Sequence, residues 1–210
     1  MEGCDTASKN PATHGLIFRQ AAQPCSRPDT SDNAAPLADL VRRAQKGEEA
    51  AQRALILAYQ RRVAGFIYAI AGRSDSIEDL AQTVFIKMVR GLDRLHDPAQ
   101  FEAWLFRLAR NACIDYLRRQ RLRRIFTPFV AEHTDIPEPP GAVDTEELDA
   151  LRHALSRLRP ADRALLALAQ EGRSQAEMAK ITGTSVVVIK ARLHRARERL
   201  REYYQPHHET

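Results

Sequence analysis

Lys190, Arg192, His194, Arg195, Arg197 and Arg199 fall within ten residues of one another. Side chains of these types at helical spacing bind polyanions: they offer charge-assisted donors to phosphate oxygens and to the acceptor atoms of base edges. Just upstream, Ala179, Gly183 and Ile189 stand fifth, ninth and fifteenth when Gln175 is counted first. That spacing supplies a small residue where two helices cross, a glycine for the turn and an apolar anchor beneath the second helix, as a helix-turn-helix requires. Ser174 and Ser185 stand where each helix needs an N-cap. Val186, Val187, Val188 and Ile189 are expected to seat the second helix, with Lys190, Arg197 and His194 projecting toward DNA. An arginine-rich helix is often only a solvated face; here turn glycine, crossing alanine, caps and basic face coincide, which favours DNA reading.

A second constellation lies in "FEAWLFRLARNACIDYLRR", residues 101–119. Phe101, Trp104, Leu105, Leu108 and Ala112 make one apolar stripe, and Arg107, Arg110, Asn111 and Arg118 share another side. Catalysis finds no comparable support: there is no Gly-rich phosphate loop and no Cys or His cluster, and no catalytic or metal-ligating residue is expected. Cys4, His14 and Cys25 have no metal-like spacing, and three cysteines in all fit a reduced, cytoplasmic protein.

The elements that must position these faces read as all-α. Aromatic residues make up 6% of the 210 and glycine is scarce, which disfavours sheets. Residues 1–36, with Pro11, Pro24, Pro28 and Pro36, show no sustained period and read as a disordered extension. From Leu37 helical spacing begins, punctuated by Gly47 and Gly72. "SDSIEDLAQTVFIKMVRGL" opens on cap candidates Ser74, Asp75 and Ser76 and stops at Gly91. Its core face is Ile77, Leu80, Val84 and Met88, and Asp79, Gln82 and Ile86 lie elsewhere.

The net charge of +5 is unevenly distributed: "RRQRLRR", residues 118–124, runs into an acidic, proline-bearing stretch that contains no Lys or Arg from 127 to 149. That stretch reads as a linker, although "RRIFTPF" at its start could continue the preceding helix. The expected organisation is an extension at 1–36, a module at 37–120, a flexible acidic linker at 121–143, a four-helix module at 144–204 and a tail at 205–210. No apolar run approaches the roughly 20 residues that span a bilayer.

In this order the segments "IEDLAQTVFIKM", "FEAWLFRLARNACIDYLRR" and "LSRLRPADRALLALAQEGRSQAEMAKITGTSVVVIKARLHRARERLRE" resemble regions two and four of an extracytoplasmic-function (ECF) sigma factor of bacterial RNA polymerase. The resemblance covers about residues 37–204. It implies that Asp79, Gln82 and Phe85 dock on the clamp helices of the polymerase, with Thr83 where the family usually carries Glu. It implies capture of the unpaired minus-ten strand by Arg107, Asn111 and Arg118, with Leu95, His96 and Asp97 lining a base pocket. Asp115 is either a further base contact or a helix-surface ion-pair partner.

The resemblance further implies minus-thirty-five duplex reading by Ser185, Lys190, Arg192, His194 and Arg195, with Val187, Val188 and Ala191 where Gly, Thr and Ser are common. The acidic linker would thread toward basic polymerase channels. Implied partners are core RNA polymerase, promoter DNA and an anti-sigma factor, often membrane-anchored; no cofactor is implied. The rival reading is a stand-alone helix-turn-helix regulator with an N-terminal dimerisation or sensing domain. It leaves the "DLAQ" helix and the strand-binding face unexplained.

Overall fold

The computed structural model describes residues 34–72, 76–126 and 145–204, with side chains for 36–72, 76–123 and 149–204. Residues 1–33, the acidic linker from 127 to 144 and the tail, together with Cys4, Cys25, Ser74 and Asp75, lie outside the described residues. Those described are helical, with no strand among them.

The first module comprises α1 (Ala34–Gln45), α2 (Glu49–Ala71), α3 (Ile77–Gly91), two short 3-10 turns (Leu92–Arg94 and Pro98–Gln100) and α4 (Phe101–Phe126). Its interior forms where Leu55, Val63, Phe66, Ile67 and Ile70 of α2 meet Val84 and Met88 of α3 and Phe101, Leu105, Phe106 and Ala109 of α4, all buried. The expected α3 stripe of Ile77, Leu80, Val84 and Met88 is buried as read, joined by Phe85. Ser76 holds the N-cap position of α3, yet its hydroxyl meets the Tyr116 hydroxyl at 3.0 Å and makes no cap bond. Aromatic edges tie the layers: Phe66 and Phe106 rings stand 5.1 Å apart at 83°, Tyr59 and Phe101 rings 5.4 Å apart at 72°.

Two boundaries differ from expectation. α1 starts at Ala34 rather than Leu37, because Pro36 sits in the first turn, where a missing N–H costs nothing. α4 runs through Phe126 rather than ending at 120, since neither Pro nor Gly interrupts it before Pro128. By length and composition alone α2, at 23 residues, would be long and apolar enough to cross a bilayer, though Arg61 and Arg62 interrupt it. Its apolar side is occupied by packing in this fold.

The second module comprises α5 (Thr145–Ser156), α6 (Pro160–Gln170), α7 (Gln175–Thr182) and α8 (Val186–Tyr204). Pro160 opens α6, where its missing N–H costs nothing, and Arg159 before it is extended. The two modules pack together, α6 against α2 and α7 against α4. Ala164, Leu165, Leu168, Met178 and Ile181 thereby join the same apolar interior as α2 and α4.

Candidate nucleic-acid and polymerase interfaces

The helix-turn-helix is built as its spacing predicts. Ser174 accepts from the Glu177 N–H at 3.2 Å, and the Glu177 carboxylate accepts from the Ser174 N–H at 2.8 Å, a reciprocal cap on α7. Gly183 ends α7 in the left-handed region at φ 71°, ψ 32°, and its N–H donates to the Ala179 carbonyl; a side chain there would be strained. Ser185 caps α8 more loosely, accepting from the Val188 N–H at 3.4 Å. Ile189, Leu193 and Ala196 bury one stripe of α8. Lys190, His194, Arg195 and Arg197 are exposed.

Four residues of this helix depart from the reading. Val186, Val187 and Val188 do not seat it: they are 45%, 78% and 43% exposed, and only Ile189 of the four is buried. At about 100° per residue, four consecutive positions sweep most of the way round a helix, so one of them at most faces the core. Arg192 is half-buried, its guanidinium 3.2 Å from the buried Asp162 carboxylate, to which Arg199 also comes within 3.6 Å. It braces α8 against α6, and its charge is already partnered.

On α4, Arg107, Asn111, Asp115 and Arg118 are all exposed, away from buried Phe101, Leu105 and Ala112. Trp104, on the same stripe, is half-buried beside Phe101, with the ring centroids 6.2 Å apart. Asn111 accepts from Arg110 at 3.2 Å. In the preceding loop His96 and Asp97 are exposed, and Asp97 spends a carboxylate oxygen on the Ala99 N–H at 2.9 Å. The Leu95 side chain is buried in the module, and the Leu95 carbonyl accepts from Gln45 at 2.7 Å. Asp79, Gln82 and Thr83 lie exposed on one face of α3, with Ile86 continuing it at 43% exposure; Phe85 is buried beneath. The sequence-derived residues thus form three separate surfaces rather than one cleft.

A fourth feature escaped sequence reasoning: an ionic seam between the modules. Arg62 of α2 meets Glu102 at 2.8 Å and, across the seam, Glu171 at 3.0 Å. Arg173 of the second module meets Glu102 at 2.5 Å and Glu177 at 3.0 Å. Both guanidiniums lie over the Phe106 ring, at 5.4 and 5.1 Å. Burial alone would push the Glu102 carboxyl up, but Arg173 and Arg62 outweigh it and hold it at about 2. Glu177 is likewise held at about 2, as its bonds to Ser174 and Arg173 outweigh burial. Arg62 Nη2 and Arg173 Nε and Nη2 are buried without a hydrogen-bond partner. Nearby, burial and then the charge of Arg192 lower the proton affinity of Arg110, which puts like charges of the two modules close together. Arg62 was legible in principle, since it interrupts the apolar period of Tyr59, Val63 and Phe66 on a core stripe.

Family models and known proteins now bear on these surfaces. Residues 55–123 match the model of Sigma-70 region 2, and residues 148–200 match that of Sigma-70 region 4. The chain is 32% identical over 179 residues to the ECF RNA polymerase sigma-E factor of Haemophilus influenzae, covering 80% of this chain and 94% of that one. This chain belongs to the ECF sigma factors. A second ECF relative, the sigma-E factor of Escherichia coli, and the RNA polymerase sigma-H factor of Pseudomonas aeruginosa are each 30% identical over 179 residues, covering 80% of this chain and 93% of theirs.

Among solved structures the ECF fold aligns with CnrH in complex with the cytosolic domain of CnrY, at TM-score 0.61 and 26% identity over 79% of this chain and 95% of that chain. It aligns equally well, at TM-score 0.61 and 25% identity, with RpoE of Bartonella quintana in complex with the anti-sigma factor NepR, over 73% of this chain and 96% of that one. The region 2 match spans most of α2, all of α3 and α4 up to residue 123, the region 4 match takes in α6, α7 and most of α8, and the ionic seam joins the two modules.

Proposed function

We propose that this sigma factor works as a dissociable specificity subunit, acting in the cytoplasm without catalysis or cofactor of its own. Asp79, Gln82 and Thr83 of α3 dock on core RNA polymerase, with buried Phe85 fixing the helix beneath them. Arg107, Asn111 and Arg118 of α4 hold the unpaired minus-ten strand, flanked by His96, Asp97 and Asp115, while the Leu95 side chain supports that loop from the core. Ser185, Lys190, His194 and Arg195 of α8 read the minus-thirty-five duplex, with Arg192 as the brace that sets the helix angle. A single observation carries this reading: the surfaces suited to a single strand and to a duplex sit on separate modules that match regions 2 and 4 in the family's order.

Reading both elements requires the modules to part. The elements lie about 25 base pairs apart, roughly 85 Å of duplex at 3.4 Å per base pair. A chain this size packed as one body has a radius of gyration of about 17 Å. The closed form is therefore a resting form, and an anti-sigma factor, the kind of partner seen with RpoE, would act by holding the chain away from polymerase. The stand-alone regulator is not favoured, because it leaves the exposed polar face of α3 and the basic face of α4 unexplained.

Mobility shift separates the readings. The sigma factor alone is expected to bind promoter duplex weakly and, with core polymerase, tightly and with open-strand reactivity at the minus-ten element. Tight, specific duplex binding by the free chain, unchanged by core polymerase, would contradict the proposal.

A further inference from the structure

The outermost stripe of α8 is Val187, Ala191 and His194, at i, i+4 and i+7, opposite the buried stripe of Ile189, Leu193 and Ala196. Its first two turns carry only methyl groups, flanked by exposed Lys190 on one side and exposed Arg195 on the other. Val187 is 78% exposed, at the helix end that Ser185 caps. A β-branched side chain at an exposed helical position gains nothing from packing and is a mediocre helix former. Such a local cost is retained where function uses it.

The N-terminal residues of a recognition helix are the ones that enter the major groove and meet base edges. A methyl-bearing stripe offers no donor or acceptor, so it cannot read the polar code of guanine, cytosine or adenine there. The one apolar feature of that groove is the C5-methyl of thymine. Lys190 and Arg195 on either side supply the charge complementarity that brings a phosphate backbone to both edges of the stripe.

We propose that Val187, with Ala191 behind it, is a specificity-determining contact that selects thymine in the minus-thirty-five element by its methyl group. This rests on the reading of α8 as the duplex reader. It predicts discrimination by burial of a methyl rather than by hydrogen bonds, so the preference is removed without altering base pairing.

Replacing thymine by deoxyuridine deletes that methyl and nothing else. Holoenzyme reconstituted from core polymerase and the full chain is used to select its upstream element from a randomised promoter library; each thymine of that element is then changed singly to deoxyuridine. At one or two positions the complex is expected to weaken by about fourfold, the worth of one buried methyl group. In Val187→Ala holoenzyme those positions become indifferent to the change, while circular dichroism shows the helix content retained.

A selected element without thymine, no deoxyuridine penalty at any position, or the same penalty in Val187→Ala would overturn the proposal. Scrambling the whole upstream element distinguishes the levels. If scrambling weakens binding while deoxyuridine does not, duplex reading by α8 stands and the thymine contact falls; if scrambling has no effect, both fall.

Discussion

Phe101, Leu105, Phe106 and Met88 hold region 2 together through carbon contacts, whereas Arg62, Glu102, Glu171 and Arg173 make the sharpest contacts between region 2 and region 4 through charge. The difference tells which boundary is meant to last. Opening region 2's own core exposes its whole interior and amounts to unfolding, whereas parting the regions exposes only the carbon surface that Ala164, Leu165, Leu168, Met178 and Ile181 share with α2 and α4. A buried ion cluster has an alternative, because each charge regains its hydration when the seam parts. The seam is also imperfect, leaving guanidinium nitrogens of Arg62 and Arg173 without partners.

The comparison breaks most visibly at the residue both sides share. Phe106 packs edge-on against Phe66 and lies beneath both seam guanidiniums. Phe106→Ala is expected to lower unfolding stability by about 4 kcal/mol, by urea denaturation, as the loss of a fully buried aromatic ring does. Region 2 and the seam should loosen together.

Glu102→Gln touches the seam without emptying the core. It strips the carboxylate from between two buried arginines, at an expected cost of about 2 kcal/mol. X-ray scattering should show a larger radius of gyration while far-ultraviolet dichroism stays unchanged. Expansion with loss of helix would mean that the seam belongs to the fold rather than to its closure.

Acid probes the same carboxylates in the unmodified chain. Glu102 and Glu177 are held at about 2 in the packed form, below the ordinary 4.5. Between those values the unfolded chain binds protons that the packed form refuses, so stability is fully present above about 4.5 and is lost as pH falls toward about 2. Denaturation midpoints across that window should fall in the wild type and fall less steeply in Glu102→Gln. The smallest effect is expected at an exposed pair, Arg201 with Glu198 at 2.8 Å. Arg201→Ala should change stability by less than about 0.5 kcal/mol, because water screens such contacts.

The legible parts of the fold were those whose signals are local. Ser174 and Gly183 announce the ends of α7 by their own backbone chemistry, and the stripe of Ile77, Leu80, Val84 and Met88 repeats at the helical period. α8 itself was legible, but its valines were not, because an apolar run carries no phase until Ile189, Leu193 and Ala196 fix the buried side. Arg192 read as a DNA contact because its partner, Asp162, stands thirty residues away. The seam was harder still: Arg62 and Glu171 are 109 residues apart in the chain, and only packing of α2 on α6 brings them together. Charges at core positions are the trace such a seam leaves in a sequence.

In vitro transcription with purified core RNA polymerase tests the central claim most directly, using the wild-type chain and an Asp79→Ala, Gln82→Ala double variant on a promoter library. Both substituted residues are exposed, so the variant keeps its fold. Initiation at a discrete promoter set, present with the wild type and strongly reduced with the variant, is the expected result. No initiation with the wild type, or equal initiation with both proteins, would contradict respectively the assignment of function and the placing of the polymerase contact on α3.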